Sequence, residues 1–142
     1  MWHAYMMIVK SANEGFGFPP KALIDEITKQ AEEAVKTGKM LGSGGLRPTA
    51  MGARVRLSSG KVTVTDGPFT EAKEIIGGYA QFEFKSREEA VASAVEFMEL
   101  HRKYWPGWEG ETEVREVMDP SECAPQTQEN TSQREDYVSR AS

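Results

Sequence analysis

The pattern of apolar and polar positions along the chain predicts four strands of a sheet. Residues 2–9 are apolar on both faces, which predicts a central strand with both faces covered. Residues 40–46 are short and glycine-rich and predict an irregular or edge strand, whereas residues 113–118 predict a last strand. Residues 75–84 alternate, so that Ala80, Phe82 and Phe84 share one face and Tyr79, Gln81 and Glu83 share the other. The second of these faces is polar and aromatic together, which favours a cleft or a partner surface over a dry core.

Two stretches have helical spacing instead. Pro20 suits the first turn of a helix, and we expect this helix to end near Gly38. Its apolar stripe consists of Leu23, Ile24, Ile27, Ala31, Ala34 and Val35. Ser86 and Glu89 form a capping box that opens a second helix, which runs to about His101. The side chains expected to point inward from it are Val91, Ala94, Val95 and Met98.

A hairpin is predicted between the strand at residues 40–46 and the strand at residues 75–84. Residues 54–58 and 61–65 alternate on either side of Ser59-Gly60, a turn dipeptide. The apolar side chains expected on its core side are Val55, Leu57, Val62 and Val64. The resulting order of elements predicts an α+β fold, a ferredoxin-like β-α-β-β-α-β sandwich with an inserted hairpin.

Composition limits the possible functions. The chain has 142 residues, of which 39% are apolar and 27% charged, which fits one folded domain over residues 1–118. Residues 119–142 are polar and predict a disordered tail. The net charge of −5 argues against nucleic acid or an anionic membrane as the main partner. The chain begins without a basic segment and lacks an apolar run of about 20 residues, so we expect a cytoplasmic protein.

The corner Asp66-Gly67-Pro68-Phe69 directly follows the hairpin. Glycine adopts unusual backbone angles at little cost, and proline fixes φ, so this sequence makes a tight corner that holds one carboxylate in place. Asp-Gly and Gly-Pro are also common in structural turns, which leaves both a functional and a purely structural interpretation open.

Several motifs in order resemble the DGPF branch of the YCII-related proteins over roughly residues 3–118. They are Leu46-Arg47-Pro48, Asp66-Gly67-Pro68-Phe69, Gly77-Gly78-Tyr79, Ser86 to Ala90 and Glu113-Val114-Arg115. The resemblance implies a dimeric α+β barrel, in which two sheets face each other across a two-fold axis, with a cleft near Asp66. Some members pair a histidine near the start of the first helix with an aspartate. This chain has Pro20-Lys21-Ala22-Leu23 at that place, without a histidine.

Asp66 is the candidate catalytic residue, as a general base or as an anchor for a ligand amine or hydroxyl. A base needs a raised pKa, which burial among Phe69, Tyr79 and their neighbours would supply. The alternative is that its carboxylate caps the amides of Thr70 or Glu71 and pins the turn. The other candidates for a ligand pocket are His3, Tyr5, Arg47, Phe69, Tyr79 and Glu83. Arg47 would bind an anion, and the alternative for Tyr5, Tyr79 and Glu83 is dimer packing.

The remaining histidine, tryptophan and cysteine residues are not candidates for catalysis or metal binding. We interpret His101 as a helix-end or packing residue, and Trp105 and Trp108 as a lid or an interface wall. Two histidines without an ordered acid spacing and a single cysteine predict no metal and no cofactor.

Three functions therefore remain. One is a small-molecule enzyme that uses Asp66 in a cleft shared by two subunits. The others are a non-catalytic ligand-binding or regulatory dimer and a purely structural dimer. The expected partners are a second copy of the chain and a small-molecule ligand.

Overall fold

The computed structural model describes residues 2–69 and 74–123. Nine helices and strands follow one another within these residues, with one-turn 3₁₀ helices at Glu14–Phe16 and Thr49–Met51. They are β1 (His3–Ser11), α1 (Lys21–Lys36), β2 (Met40–Gly45), β3 (Ala53–Ser58), β4 (Lys61–Asp66), β5 (Ile75–Phe84), α2 (Arg87–Tyr104), β6 (Gly110–Glu116) and α3 (Pro120–Cys123). β1 ends later and β6 begins earlier than the apolar runs predicted, because Ser11 pairs with Gly110.

Four strands form one antiparallel sheet in the order β2-β5-β1-β6. This is the ferredoxin-like arrangement, so the predicted α+β class is confirmed, as are the central position of β1 and the edge position of β2. Both helices pack on the same face of the sheet, since the two contact each other as well as its strands.

The core lies between α2 and the middle of the sheet. Tyr5, Met7 and Phe84 from the sheet are buried with Ala90 and Ala94 of α2. The rings of Tyr5 and Phe84 lie 6.2 Å apart at 54°, a tilted packing that aromatic pairs favour.

The face of α2 that points inward differs from the prediction. Ser86 does cap the helix, because its Oγ accepts a hydrogen bond of 3.1 Å from the amide of Glu89. However, Val91 and Val95, predicted to point inward, have 36% and 54% of their surface exposed. The buried residues of α2 are Ala90, Ala94 and His101. Alanine side chains let the helix approach the aromatic rings of the sheet more closely than valines would.

The first helix packs loosely against the sheet. It begins and ends where the sequence predicts, and Gly38, with φ of 74°, closes its C-terminal end. Only Leu23 of its apolar stripe is fully buried, whereas Ile24 and Val35 have 46% and 60% of their surface exposed. A large space therefore remains between α1 and the sheet.

The hairpin formed by β3 and β4 is a separate two-stranded sheet. Its turn at Ser59 and Gly60 has positive φ at both residues, of 53° and 74°. Val55 pairs with Val64, and Leu57 with Val62, so these side chains share one face as predicted. Their assignment to the core was wrong, because the hairpin does not pair with the four-stranded sheet and each side chain is 63–72% exposed.

No helix of the described residues packs on the second face of the sheet. The register places Ile8 of β1 beside Tyr79 of β5, and Met6 beside Gln81. The described residues therefore cover only one face of β1, although the sequence predicted cover on both. We call this uncovered surface the open face.

The predicted tail starts with an ordered turn. The amide of Ser121 donates to Oδ1 of Asp119 at 2.8 Å, and the amide of Asp119 donates to Glu122 at 3.1 Å, which together begin α3. Residues 124–142 of that prediction lie outside the described residues. No helix in the described part of the chain combines the length and apolar character needed to cross a bilayer.

Candidate functional site

A cavity of about 1080 Å³ lies between the two helices and the sheet. It exists because α1 is seated loosely, as described above. Most of its wall is apolar, and α1, α2 and all four strands of the sheet contribute to it. Representative lining residues are Val9, Ile27, Ala34, Ala80, Phe82 and Phe97. A concave, mainly apolar space of this size suits a small organic molecule.

One wall of the cavity consists of aromatic rings, which we call the aromatic wall: Phe97, His101, Trp105 and Trp108. The first three recur every four residues, so they follow one stripe of α2 and its C-terminal end. The rings of His101 and Trp108 lie 4.6 Å apart, and those of Trp105 and Trp108 lie 5.8 Å apart at 23°.

The loop after α2 holds Trp108 in this wall. Gly107 takes a φ of 88°, which lets the chain turn back toward the sheet. The indole of Trp108 donates a hydrogen bond of 3.2 Å to Oγ of Ser11 in β1. A side chain at Gly110 would overlap this indole, so the glycine makes room for it.

His101 is the most deeply buried titratable group of the cavity, with 5% of its surface exposed. Its Nδ1 lies 2.9 Å from the carbonyl oxygen of Phe97. A carbonyl only accepts, so Nδ1 carries the hydrogen and Nε2 keeps a lone pair. Burial lowers the pKa of His101, against the smaller opposing effect of this hydrogen bond, and the ring is therefore neutral near pH 7. Within the described residues Nε2 forms no hydrogen bond.

Thr112 of β6 adds a second polar group to the lining. Its Oγ1 is buried and has no hydrogen-bond partner among the described residues. Such a hydroxyl is costly to bury unless something pairs with it. Because Oγ1 is fully buried, a molecule in the cavity does not reach it, whereas Nε2 of His101 is not a fully buried atom.

The charged side chains around the cavity are of both signs. They comprise three cations and four carboxylates: Lys29, Lys39, Arg47, Glu14, Glu33, Glu89 and Glu96. Arg47, predicted to bind an anion, does border the cavity. Two of the others, Lys39 and Glu89, are paired at 3.8 Å. The balance of charge favours a neutral ligand over a strongly anionic one. In the part of the chain that is described, no three His, Cys, Asp or Glu side chains form a group able to hold a metal ion.

The corner after the hairpin is held by its glycine and its phenylalanine. A Cβ at Gly67 would overlap the carbonyl oxygen of Thr49, so this position has room for glycine alone. The amide of Phe69 donates to Oγ1 of Thr49 at 3.3 Å, and the guanidinium of Arg54 lies 3.9 Å from the ring of Phe69. The peptide bond between Gly67 and Pro68 is cis.

Asp66 itself is exposed and does not border the cavity. Its carboxylate forms no hydrogen bond with the described residues. The burial that a general base would need is thus absent in the described part of a single chain. The alternative, a cap on the amides of Thr70 or Glu71, falls on residues outside those described. Phe69 is partly buried beside Asp66 but belongs to the corner, not to the cavity.

The remaining candidates are divided between the two faces of the sheet. Tyr5 and His3 point to the helix-covered face, so they do not line a cleft on the open face. Tyr5 is part of the core, where burial first and then the Glu116 carboxylate raise its pKa. His3 lies 2.9 Å from Glu116 through Nδ1.

Tyr79 and Glu83 do lie on the open face, where they were expected. Tyr79 also borders the cavity, and its ring covers Gly44, where any Cβ would come within 2.9 Å of the phenol oxygen.

The aromatic wall was not predicted as a ligand site. His101 was interpreted as a helix-end or packing residue, and it does lie buried in the last turn of α2 against Phe97 and Trp108. The recurrence of Ala94, Phe97, His101 and Trp105 at helical spacing was the signal available.

Comparison with known families matches residues 3–119 to the YCII-related domain. The chain matches no curated protein.

Proposed function

Because the chain belongs to the YCII-related domain family, whose description names no reaction, we propose that it is a homodimer that binds a small organic molecule in the cavity. The observation that carries this proposal is the cavity itself, about 1080 Å³ with a mostly apolar wall. Well-formed apolar cavities with a few convergent polar groups are the usual sites of small ligands in proteins.

Two surfaces with exposed apolar side chains support the proposal of a homodimer. The open face presents Met6, Ile8 and Tyr79, which no helix of residues 2–69 and 74–123 covers, and the hairpin presents four exposed aliphatic side chains on one face. An isolated two-stranded hairpin is marginally stable in water. A second copy that packs against both surfaces would bury them and form the dimeric α+β barrel of the DGPF branch.

An enzyme that uses Asp66 is the second candidate. Gly67 and Phe69 account for the packing of the corner, whereas the Asp66 carboxylate bonds to none of the described residues. A carboxylate that the fold does not use is available for acid–base work or for anchoring a ligand. In this case the second subunit would have to bury Asp66 as acid–base catalysis requires.

Binding of N-phenyl-1-naphthylamine, a neutral fluorescent probe, tests the cavity. We expect saturable binding at one site per chain with a blue-shifted emission, because the probe leaves water for an apolar site. Ala31→Trp fills the cavity from α1 and should abolish this signal.

Ala22→Trp is the matched control, since Ala22 lies on the same helix, is exposed and does not border the cavity. It should bind the probe as the parent protein does. Absence of binding to the parent protein, or equal binding by Ala31→Trp, would contradict the proposal.

Asp66→Asn tests whether the corner needs its carboxylate. We expect the free energy of unfolding to change by less than about 0.5 kcal/mol, as for a surface substitution that removes no contact. Urea unfolding of both proteins at equal concentration measures this, and sedimentation checks that the oligomeric state is unchanged. A loss above about 1 kcal/mol would mean that Asp66 is a structural residue, which favours the purely structural dimer.

A further inference from the structure

We propose that the cavity is selective for a planar aromatic molecule that carries a hydrogen-bond donor, which Nε2 of His101 accepts. This inference rests on the proposed function, since it names the class of ligand that the same cavity takes.

The aromatic wall provides the stacking surface. Trp105 and Trp108 both border the cavity, and their rings are inclined to each other by only 23°. Phe82 and Phe97 face the same space from the sheet and from α2. Flat aromatic molecules gain more from such surfaces than branched aliphatic ones of equal area, because offset stacking adds to the burial of apolar surface.

The donor requirement follows from the state of His101. Its Nδ1 hydrogen is used by the carbonyl of Phe97 at 2.9 Å, so the remaining ring nitrogen can only accept. The side chain as a whole is 5% exposed, but Nε2 is not one of the fully buried atoms, so a molecule in the cavity can reach it. A ligand hydroxyl or ring N–H would form a hydrogen bond with this nitrogen beside the aromatic rings.

The immediate neighbours of His101 are aromatic rings. Its ring packs against Phe97, Trp105 and Trp108, at centroid distances of 4.7, 6.3 and 4.6 Å. The indole N–H of Trp108 is already donated to Ser11. Nε2 accepts no hydrogen bond from the described residues, so it is available to a donor on the ligand.

Thr112 does not compete with His101 for the ligand, because its Oγ1 is fully buried and a molecule in the cavity does not reach it. The carboxylates that border the cavity are exposed to water or, in the case of Glu89, paired with Lys39. His101 is therefore the buried acceptor on which selectivity for a donor depends.

Competition against N-phenyl-1-naphthylamine compares three probes of one ring system: 2-naphthol, 2-methoxynaphthalene and naphthalene. Only 2-naphthol has an O–H, and it is the most water-soluble of the three, so a site without an acceptor would bind it least. We expect the parent protein to prefer 2-naphthol over 2-methoxynaphthalene by about tenfold, as for one buried hydrogen bond.

His101→Phe keeps an aromatic ring in the wall but removes the acceptor. We expect it to bind naphthalene as the parent protein does and to lose the preference for 2-naphthol. His3→Phe is the matched control, because His3 is the other histidine and does not border the cavity. This control should keep the preference.

A measurement on the parent protein keeps the test independent of whether His101→Phe folds. The ¹⁵N resonance of His101 Nε2 should move much further on addition of 2-naphthol, which donates a hydrogen bond to it, than on addition of 2-methoxynaphthalene, which acts only through its ring current.

Two results would overturn the inference alone: equal affinity of the parent protein for 2-naphthol and 2-methoxynaphthalene, or a preference that survives in His101→Phe. In both cases the probes still bind, and the proposed function stands. If none of the three competes and the fluorescent probe does not bind, the proposed function fails and the inference fails with it.

Discussion

Leu57→Glu is expected to weaken homodimerisation by more than about 100-fold. Leu57 is 72% exposed in one chain, and burial of a leucine side chain contributes about 1.5–3 kcal/mol. A two-fold axis brings the substitution into the interface twice, which gives about 3–6 kcal/mol, and each 1.4 kcal/mol is about a factor of ten. Sedimentation velocity over a range of concentrations measures the dissociation constant.

Thr63→Glu is the matched control on the opposite face of the same hairpin. Thr63 pairs with Arg56 across the strands, so the new carboxylate meets a cation and the hairpin is kept. This variant should dimerise as the parent protein does. A parent protein that is monomeric at micromolar concentration, or a Leu57→Glu variant with unchanged affinity, would rule out the hairpin as a dimer contact.

Gly67→Ala is expected to destabilise the domain by about 3 kcal/mol or more. The added Cβ would overlap the backbone carbonyl of Thr49, and a backbone atom moves aside less easily than the end of a side chain. The effect is one of space, since Gly67 is not among the glycines with positive φ. Urea unfolding followed by circular dichroism measures the loss.

Gly52→Ala shows whether the corner tolerates alanine elsewhere. Gly52 accepts the hydrogen bond from the amide of Gly67 at 2.9 Å, but its own Cβ would lie 3.5 Å from the same Thr49 carbonyl, an ordinary contact. With φ of −113° its backbone suits any residue. This variant should stay within about 0.5 kcal/mol of the parent protein. Equal losses at the two positions would contradict the steric explanation.

The strands and helices could be predicted because each depends on local periodicity. Ser86 and Glu89 marked the start of α2, and the alternation of residues 75–84 placed Phe82 and Phe84 on the same side. The ends of β1 and β6 could not be predicted, since they are extended by pairing of Ser11 with Gly110, which depends on a partner distant in sequence.

Burial was harder to predict than secondary structure. Val91 and Val95 form as good a helical stripe as Ala90 and Ala94, and only the shape of the sheet selects the smaller pair. The aliphatic face of the hairpin was assigned to the core because alternation reveals that a face is apolar, not which surface covers it.

The two parts of the candidate site differ in the same way. The corner at Asp66 was visible as a contiguous motif, but the reason for its glycine is a contact with Thr49, which the sequence does not reveal. The cavity depends on how loosely α1 packs. In His101, Nε2 is the free nitrogen because Nδ1 donates to a carbonyl oxygen one helical turn away.

The seating of α1 affects how fast a ligand exchanges as well as how tightly it binds. A helix held by one fully buried side chain, Leu23, opens at a smaller cost than unfolding of the whole domain. Entry and departure of a ligand beneath α1 then share one barrier, the displacement of this helix. A smaller side chain at position 23 would speed both association and dissociation of the ligand. The ratio of the two rates, and with it the affinity, would stay nearly unchanged, whereas the residence time would shorten.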